Sequence, residues 1–195
     1  MSDLFAPPDD ASTPLAPDEK RDLIPTYIAY RSELNAAEHD NIVRGQEWAL
    51  RRRHAILDER FVLELHRRMF GEVWRWAGRY RTTERNLGIA AWEIPIEMRK
   101  LLDDAKTWIT AAAYPRDEIA VRLHHRLVRV HPFANGNGRH ARLMADLVVM
   151  DLGGERFSWG GGSLRSADEL RQRYIAALRA ADNHDVAALV TFARS

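Results

Sequence analysis

The sequence predicts a mainly α-helical bundle that is interrupted by one small β-hairpin. Apolar residues recur at intervals of three and four along most of the chain, which is typical of amphipathic helices. Residues 80–95 break this rhythm, with threonines and Trp92 around Gly88, and this pattern predicts a short hairpin or an extended loop. A length of 195 residues suits one domain with a substantial core, and we expect that domain over residues 21–195.

The segment 1–20 precedes this domain and differs from it in composition. It carries prolines among small and acidic residues, namely Pro7, Pro8, Pro14 and Pro17. Such a segment buries little apolar surface, which predicts a flexible arm. An arm that docks on a partner or on the body of the protein fits equally well, because disordered segments often fold on binding.

In the first half of the domain, the pattern predicts two or three helices. Helical spacing begins at Asp22, with Pro25 in the first turn, and residues 43–56 continue it or form another helix. Asp58 is a suitable N-cap for a helix that ends at Gly78. The apolar residues of that helix step by three or four: Phe61, Leu65, Met69, Val73 and Trp76.

In the second half of the domain, the pattern predicts five more helices. One covers residues 94–113, and the next starts at Pro115. Helical spacing resumes near Arg139 after a glycine-rich stretch. Two shorter helices, near residues 166–181 and 185–193, complete the chain.

Composition narrows the classes of function. Lys+Arg of 29 against Asp+Glu of 28 gives a net charge of +1, so nothing global favours nucleic acid or a membrane as partner. There is no cysteine, which excludes disulfides, thiolate metal sites and a cysteine nucleophile. No apolar run approaches the about 18 residues of a membrane span, and the N-terminus lacks a basic and apolar leader. We expect a cytoplasmic protein.

One segment concentrates residues that carry chemistry: His131-Pro132-Phe133-Ala134-Asn135-Gly136-Asn137-Gly138-Arg139-His140-Ala141-Arg142. Pro132 disfavours the α region for His131, so the preceding helix should end there and leave an imidazole at a helix–loop junction. The glycines let the backbone turn so that N–H groups gather at the start of the next helix, which favours an anion.

Charge around this segment points to a polyphosphate. Arg139 and Arg142 lie three residues apart and share one face of the following helix. No acidic residue occurs between Glu118 and Asp146, so positive charge collects here although the whole chain is nearly neutral. A histidine beside a phosphate site suggests a general base that activates an incoming hydroxyl.

The segment resembles the signature of the Fic family, HPFx(D/E)GNGRxxR, and the resemblance covers roughly residues 55–155. Residues 76–82 resemble the stretch that leads into the β-hairpin flap of that family. The opening residues and the HPFANGNGRHAR variant also resemble a bacterial subgroup called mobile mystery protein B. The resemblance implies an all-α fold and transfer of AMP from ATP to a Ser, Thr or Tyr hydroxyl of another protein.

The resemblance also implies roles for individual residues. His131 would be the base, and Arg139 would hold and orient the phosphates together with Arg142. The anion hole would consist of Gly136, Asn137 and Gly138. The flap residues Thr82, Thr83 and Glu84 would align a segment of the target protein by adding a strand.

Asn135 departs from the family pattern, which has Asp or Glu at this position to hold Mg²⁺. Magnesium is commonly bound through one or two carboxylates plus substrate phosphates. An amide oxygen can still bind a metal but contributes no charge. We therefore expect Mg²⁺ to be held mostly by the nucleotide, ATP, with a weak contribution from Asn135.

Two further positions bear on activity and control. Gly138 replaces the lysine that is typical of the branch transferring a terminal phosphate, which favours nucleotidyl transfer. Many Fic proteins carry an inhibitory (S/T)xxxE(G/N) helix whose Glu pairs with the second arginine. No Ser or Thr here is followed four residues later by Glu, and Glu38 lacks the pattern. We therefore expect control by a separate inhibitory partner protein, or no such control.

Several residues have plainer interpretations. His124 could line the pocket, but a lone helical histidine is more often a packing or surface residue. The run Arg51–Arg53 fits a solvated helix face better than a nucleic-acid site, and no histidine spacing suggests zinc. Two alternative functions stay open: a nucleotide-binding interaction module with little catalysis, and transfer of another nucleotide or of phosphate.

Overall fold

A computed structural model describes residues 21–161 and 166–195, and seven α-helices lie in these ranges. They are α1 (Arg31–Leu50), α2 (Glu59–Phe70), α3 (Ile94–Thr110), α4 (Arg116–Val130), α5 (Asn137–Asp151), α6 (Ala167–Asp182) and α7 (Ala187–Arg194). An isolated antiparallel β-bridge joins Leu23 and Trp74. The prediction of a mainly α protein is confirmed. The arm expected at residues 1–20 lies outside the described residues.

The helices α4 and α5 form the centre of the bundle and pack against each other. α3 and α7 lie against α4, whereas α1 and α2 pack together on the side of α5. The connection between α4 and α5 is short, so the second helix runs back along the first. α4 is amphipathic. α5 is buried on nearly all sides, with the apolar residues Ala141, Leu143, Met144, Ala145, Leu147, Val148 and Val149 in the core. Each helix of the described residues is too short or too polar to span a bilayer.

Two helix boundaries in the first half differ from the prediction. The first helix begins at Arg31 instead of Asp22, because the chain before it pairs with the turn after α2: Ile24 N–H donates to Val73 O at 2.9 Å. The second helix ends at Phe70 instead of continuing to Gly78. Val73 lies in a turn but is buried, so the apolar spacing continues past the end of the helix. The cap at Asp58 is as predicted and accepts from Arg60 N–H at 2.7 Å.

Of the two structures predicted for residues 80–90, a short hairpin or an extended loop, the hairpin is absent. These residues form an extended loop that leads into a short 3-10 turn at Ala91–Glu93. The Thr83 and Ile89 carbonyls, which could have paired across a hairpin, accept instead from the Arg81 guanidinium at 2.9 and 2.6 Å. A side chain therefore replaces the strand ladder. We call residues 81–90 the flap loop.

Buried histidines lie beneath the loop that joins α4 to α5. Gly78 N–H donates to His66 Nδ1 at 3.0 Å, so His66 Nε2 carries the hydrogen and donates to the Asn135 carbonyl at 3.1 Å. The same ring stacks on Phe133, with ring centroids 3.7 Å apart. His140 Nε2 donates to the carbonyl of Val62 at 3.1 Å. These side chains are neutral parts of the core.

Burial lowers the pKa of each of these rings, as well as that of the core residue His124. The pKa of His124 falls to about 3 and that of His140 to about 4, and the pKa of His66 lies well below its usual value of 6.5. In the unfolded chain these groups take up protons near pH 6.5, whereas the folded chain resists protonation. Their burial therefore leaves stability unaffected above pH 6.5 and reduces it as the pH falls below that value.

We expect the free energy of unfolding to fall between pH 6.5 and pH 4, by about 1.4 kcal/mol per pH unit for each buried histidine. Urea unfolding at pH 7.5, 5.5 and 4.5 measures this slope. His140→Gln should reduce the slope by the contribution of one proton. His39→Gln, at an exposed histidine, should leave the slope unchanged. A slope that His140→Gln does not alter would contradict this account.

Candidate active site

His131 ends α4 in a left-handed conformation, with φ 52° and ψ 59°. Its N–H still donates to the Leu127 carbonyl at 3.0 Å, so it is the last residue held by the helix. Pro132 follows and disfavours any continuation, as the sequence predicts. Left-handed backbone is uncommon for a residue with a side chain, so neighbouring contacts must hold it. The imidazole thus lies at the junction of helix and loop.

The imidazole of His131 is half-buried and in its neutral form. Nδ1 is buried on the side of the Val128 carbonyl, although it makes no hydrogen bond of normal geometry. Because a carbonyl is an acceptor, we assign the proton of the neutral ring to Nδ1, so that Nε2 is free to accept another. Burial lowers the pKa of His131, and the guanidinium groups of Arg81 and Arg85 lower it further, whereas the Val128 carbonyl opposes them. The ring is therefore a free base at neutral pH, as a general base must be.

The loop after His131 is cross-linked by the side chain of Asn137. Its Oδ1 accepts from the Phe133 N–H at 2.9 Å, and its Nδ2 donates to the Phe133 carbonyl at 2.9 Å. Phe133 is fully buried, which anchors this cross-link in the core. The resemblance places Asn137 in the anion hole. Its side chain faces inward and shapes the loop, while its backbone forms the first residue of α5.

The two glycines in this segment have different surroundings. Gly136 has φ 76°, and a Cβ there would lie 2.5 Å from Phe70 Cζ, so only glycine fits. Gly138 adjoins open space, since an added Cβ would meet nothing within 4 Å. The first N–H groups of a helix have no partner within that helix. The start of α5 therefore offers amides, a helix dipole and room for an anion.

The two arginines point to different neighbours. Arg142 Nε donates to the Gly138 carbonyl at 3.3 Å, which keeps its guanidinium near the start of α5. Arg139 lies over the Phe70 ring, with Cζ 4.9 Å from its centroid, and its Nη1 donates to Glu38 Oε2 at 2.8 Å. The spacing in the sequence predicted that the two arginines share a face of α5, but it did not predict that their side chains have different neighbours.

Glu38, which the sequence analysis set aside because it lacks the inhibitory pattern, lies at the site. It is buried, and its second oxygen accepts from Trp74 Nε1 at 2.6 Å. The inhibitory pattern is absent, yet α1 brings this carboxylate onto the first arginine of the motif. Its signal in the sequence was weak: Glu38 lies on the helix face that α1 buries, with Leu34, Asn41 and Gly45.

Asn135, the expected weak metal ligand, is exposed and already engaged. Its Oδ1 accepts from the Gly136 N–H at 2.7 Å, and its carbonyl accepts from His66. Residues 21–161 and 166–195 contain no group of three or more His, Asp or Glu side chains that could hold a metal ion.

The flap residues named from the resemblance are all exposed. Glu84 Oε1 accepts from Ala91 N–H at 3.0 Å, which closes the far end of the flap loop. The Thr83 carbonyl is used by Arg81, whereas Thr82 and the Thr83 side chain face solvent. His124 is not near solvent: it is fully buried and lies 2.9 Å from the Tyr174 hydroxyl, so it belongs to the core.

Comparisons with known proteins place this site in a family. Residues 56–149 match the model of the Fic/DOC family. Protein adenylyltransferase fic-1 of Caenorhabditis elegans is 34% identical over 129 residues, which cover 60% of this chain and 25% of that protein. Protein adenylyltransferase Fic of Nematostella vectensis is 33% identical over 97 residues, or 47% of this chain and 22% of that protein. The chain thus spans about a quarter of the length of these curated relatives.

Solved structures share the fold. A structure of Fic-1 from C. elegans superposes with a TM-score of 0.62 at 27% identity and covers 80% of this chain and 48% of that one. BepC from Bartonella tribocorum, solved with bound AMPPNP, gives a TM-score of 0.67 at 14% identity over 90% of this chain and 95% of that one. The loop with His131 and both arginines lies within the matched segment. The chain therefore matches the Fic/DOC family over residues 56–149, the segment that carries the site.

Proposed function

We propose that this protein transfers AMP from ATP to a Ser, Thr or Tyr hydroxyl of a target protein in a bacterial cytoplasm. One observation carries the proposal: a neutral His131 is joined, through a loop cross-linked by Asn137 and Phe133, to the glycine-lined start of α5 and its two arginines. The curated relatives that match this segment are named protein adenylyltransferases, which supports the same reaction.

The chemistry follows from these groups. His131 Nε2 takes the proton of the target hydroxyl while the hydroxyl oxygen attacks the α-phosphorus of ATP. A new O–P bond forms, the bond from the α-phosphorus to the α–β bridging oxygen breaks, and pyrophosphate leaves with that electron pair. The product is a phosphodiester that links AMP to the target side chain. The amides at the start of α5, with Arg139 and Arg142, stabilise the charge on the phosphates.

Any Mg²⁺ in this reaction is proposed to arrive with ATP. On the protein side the proposal assigns only a weak contact, from the neutral amide of Asn135, because the carboxylate of the family pattern is replaced at this position. When bound to the triphosphate, the ion would neutralise phosphate charge. No step of the proposed mechanism depends on a metal ligand from the protein.

Labelling with α- and γ-labelled ATP in parallel tests the proposal. Transfer of the α-label alone to protein supports AMP transfer, and transfer of the γ-label indicates phosphoryl transfer. Nucleotide binding without transfer, with several divalent ions, indicates the interaction module that the sequence left open. Transfer that proceeds better with another labelled nucleotide than with ATP would change the assigned co-substrate.

We expect His131→Ala to reduce transfer of the α-label by a factor of about 10²–10⁴, because it removes the base. ATP binding should stay within about threefold of the unmodified protein, since the amides and arginines remain. Arg139→Ala should weaken both binding and transfer. Calorimetric ATP titration alongside the labelling assay measures the two effects. A His131→Ala variant with undiminished transfer would show that another group is the base.

We expect Asn135→Asp to lower the Mg²⁺ concentration for half-maximal transfer by roughly tenfold, because a carboxylate adds a charged ligand. The aspartate can still accept from the Gly136 N–H, so the loop should keep its shape. A titration of Mg²⁺ and of Mn²⁺ at saturating ATP measures this. Unchanged half-maximal concentrations for both ions would show that position 135 does not contact the metal.

We also propose that Glu38 restrains the site within the same chain and needs no separate inhibitor. Its carboxylate binds the Arg139 guanidinium that the phosphates would use, so nucleotide and carboxylate compete for one cation. A charge-assisted hydrogen bond in a partly buried site contributes about 1.5–3 kcal/mol, which is enough to affect the affinity for ATP.

We expect Glu38→Gln to lower the dissociation constant of ATP by about three- to tenfold, because it removes the competing charge. Glutamine keeps an oxygen for Trp74 Nε1, so the packing is preserved. Glu47→Gln, an exposed residue on the same helix, removes the same charge away from the site and should leave affinity unchanged. Weaker ATP binding in Glu38→Gln would mean that the carboxylate orients Arg139 instead of blocking it.

A further inference from the structure

The guanidinium of Arg81 is a buried cation to which the proposed reaction assigns no role. Only 1% of its side chain is exposed, and its nearest carboxylate oxygen, on the exposed Glu84, is 3.9 Å from Nη1. An ion pair alone does not compensate such a charge. Burying a charge is costly unless hydrogen bonds satisfy it, so the partners of this guanidinium identify what holds it in place.

Those partners are three backbone carbonyls. Nε donates to the His131 carbonyl at 2.7 Å, Nη1 to the Thr83 carbonyl at 2.9 Å, and Nη2 to the Ile89 carbonyl at 2.6 Å. The Arg81 backbone N–H also donates to the Pro132 carbonyl at 2.9 Å. A single planar fork therefore joins both ends of the flap loop to the backbone of the base.

Gly88 shows how close the flap loop comes to the base. Its φ is 103°, and a Cβ there would lie 2.6 Å from His131 Cβ and 2.7 Å from Arg81 Nη2. The loop backbone thus packs directly on the side chain of His131. Because His131 sits in the sparsely populated left-handed region, contacts from both sides are needed to keep it there.

We propose that Arg81 is a positioning residue for the base: it holds His131 in its left-handed conformation and clamps the flap loop against it. The inference rests on the proposed function and deepens it, since the loop expected to receive the target and the base that deprotonates the target become one unit. A displacement of about 1 Å can reduce a rate by about 10²-fold, so loss of this clamp should act on turnover more than on nucleotide binding.

Arg81→Lys and Arg81→Met separate geometry from charge. Lysine keeps the cation but lacks the planar fork, and methionine keeps the apolar stem without charge. The charged groups that face the ring are Arg81 and Arg85 from the flap loop, with the Val128 carbonyl from α4. Arg79→Lys and Arg79→Met serve as matched controls, because Arg79 is exposed and two residues away.

In both Arg81 variants we expect kcat to fall by about 10- to 100-fold relative to the Arg79 controls, with the dissociation constant of ATP within about threefold. In Arg81→Met the acidic limb of the kcat profile should move to higher pH, because loss of a nearby cation raises the pKa of His131. In Arg81→Lys the limb should stay in place. A kcat within threefold of the controls in both variants would overturn the proposal.

Two further measurements test the proposal independently of the kcat values of the Arg81 variants. The ring of His131 can be titrated by NMR, with its signal assigned by difference from His131→Ala; the pKa should rise in Arg81→Met even if no transfer is detected. Gly88→Ala disturbs the same contact without altering Arg81 and should lower kcat by at least tenfold. An unshifted His131 titration in folded Arg81→Met, or a normal kcat in Gly88→Ala, would contradict the role.

Discussion

The loop between α4 and α5 depends on the amide of Asn137, which bonds to both the N–H and the carbonyl of Phe133. The amide is buried, so breaking either bond would leave a polar group unpaired in the core, which would cost about 1–3 kcal/mol of stability. The phenyl ring of Phe133 stacks on His66, and His66 in turn bonds to the carbonyl of Asn135. Every group of the proposed site lies on this loop or next to it.

Charge is arranged around that loop so that a neutral base lies beside several cations. Burial and the guanidinium groups of the flap loop lower the pKa of His131, which keeps the ring available as a base. The same positive charge suits a triphosphate. Glu38 is a buried acidic group that offsets it, and its contact with Arg139 makes the site less cationic than the motif alone would suggest.

Local signals in the sequence identified most of the fold. Helices α3 to α7 begin and end close to where spacing, prolines and glycines predict, and the segment around His131 was recognised as a Fic motif, which the family match confirms. The errors fall where tertiary contacts override local pattern. Val73 continues an apolar spacing after its helix has ended, and the hairpin expected near Gly88 is replaced by the hydrogen bonds of Arg81.

The sequence by itself determined the chemistry of the motif, because adjacent residues set it: a proline ends the helix at His131, and glycines open the start of α5. The tertiary structure alone decided which distant groups meet this motif. Glu38 reaches Arg139 across 101 positions, and Arg81 reaches the His131 carbonyl across 50. No periodicity or spacing in the sequence predicts such pairs, since they form only when distant segments of the chain pack together.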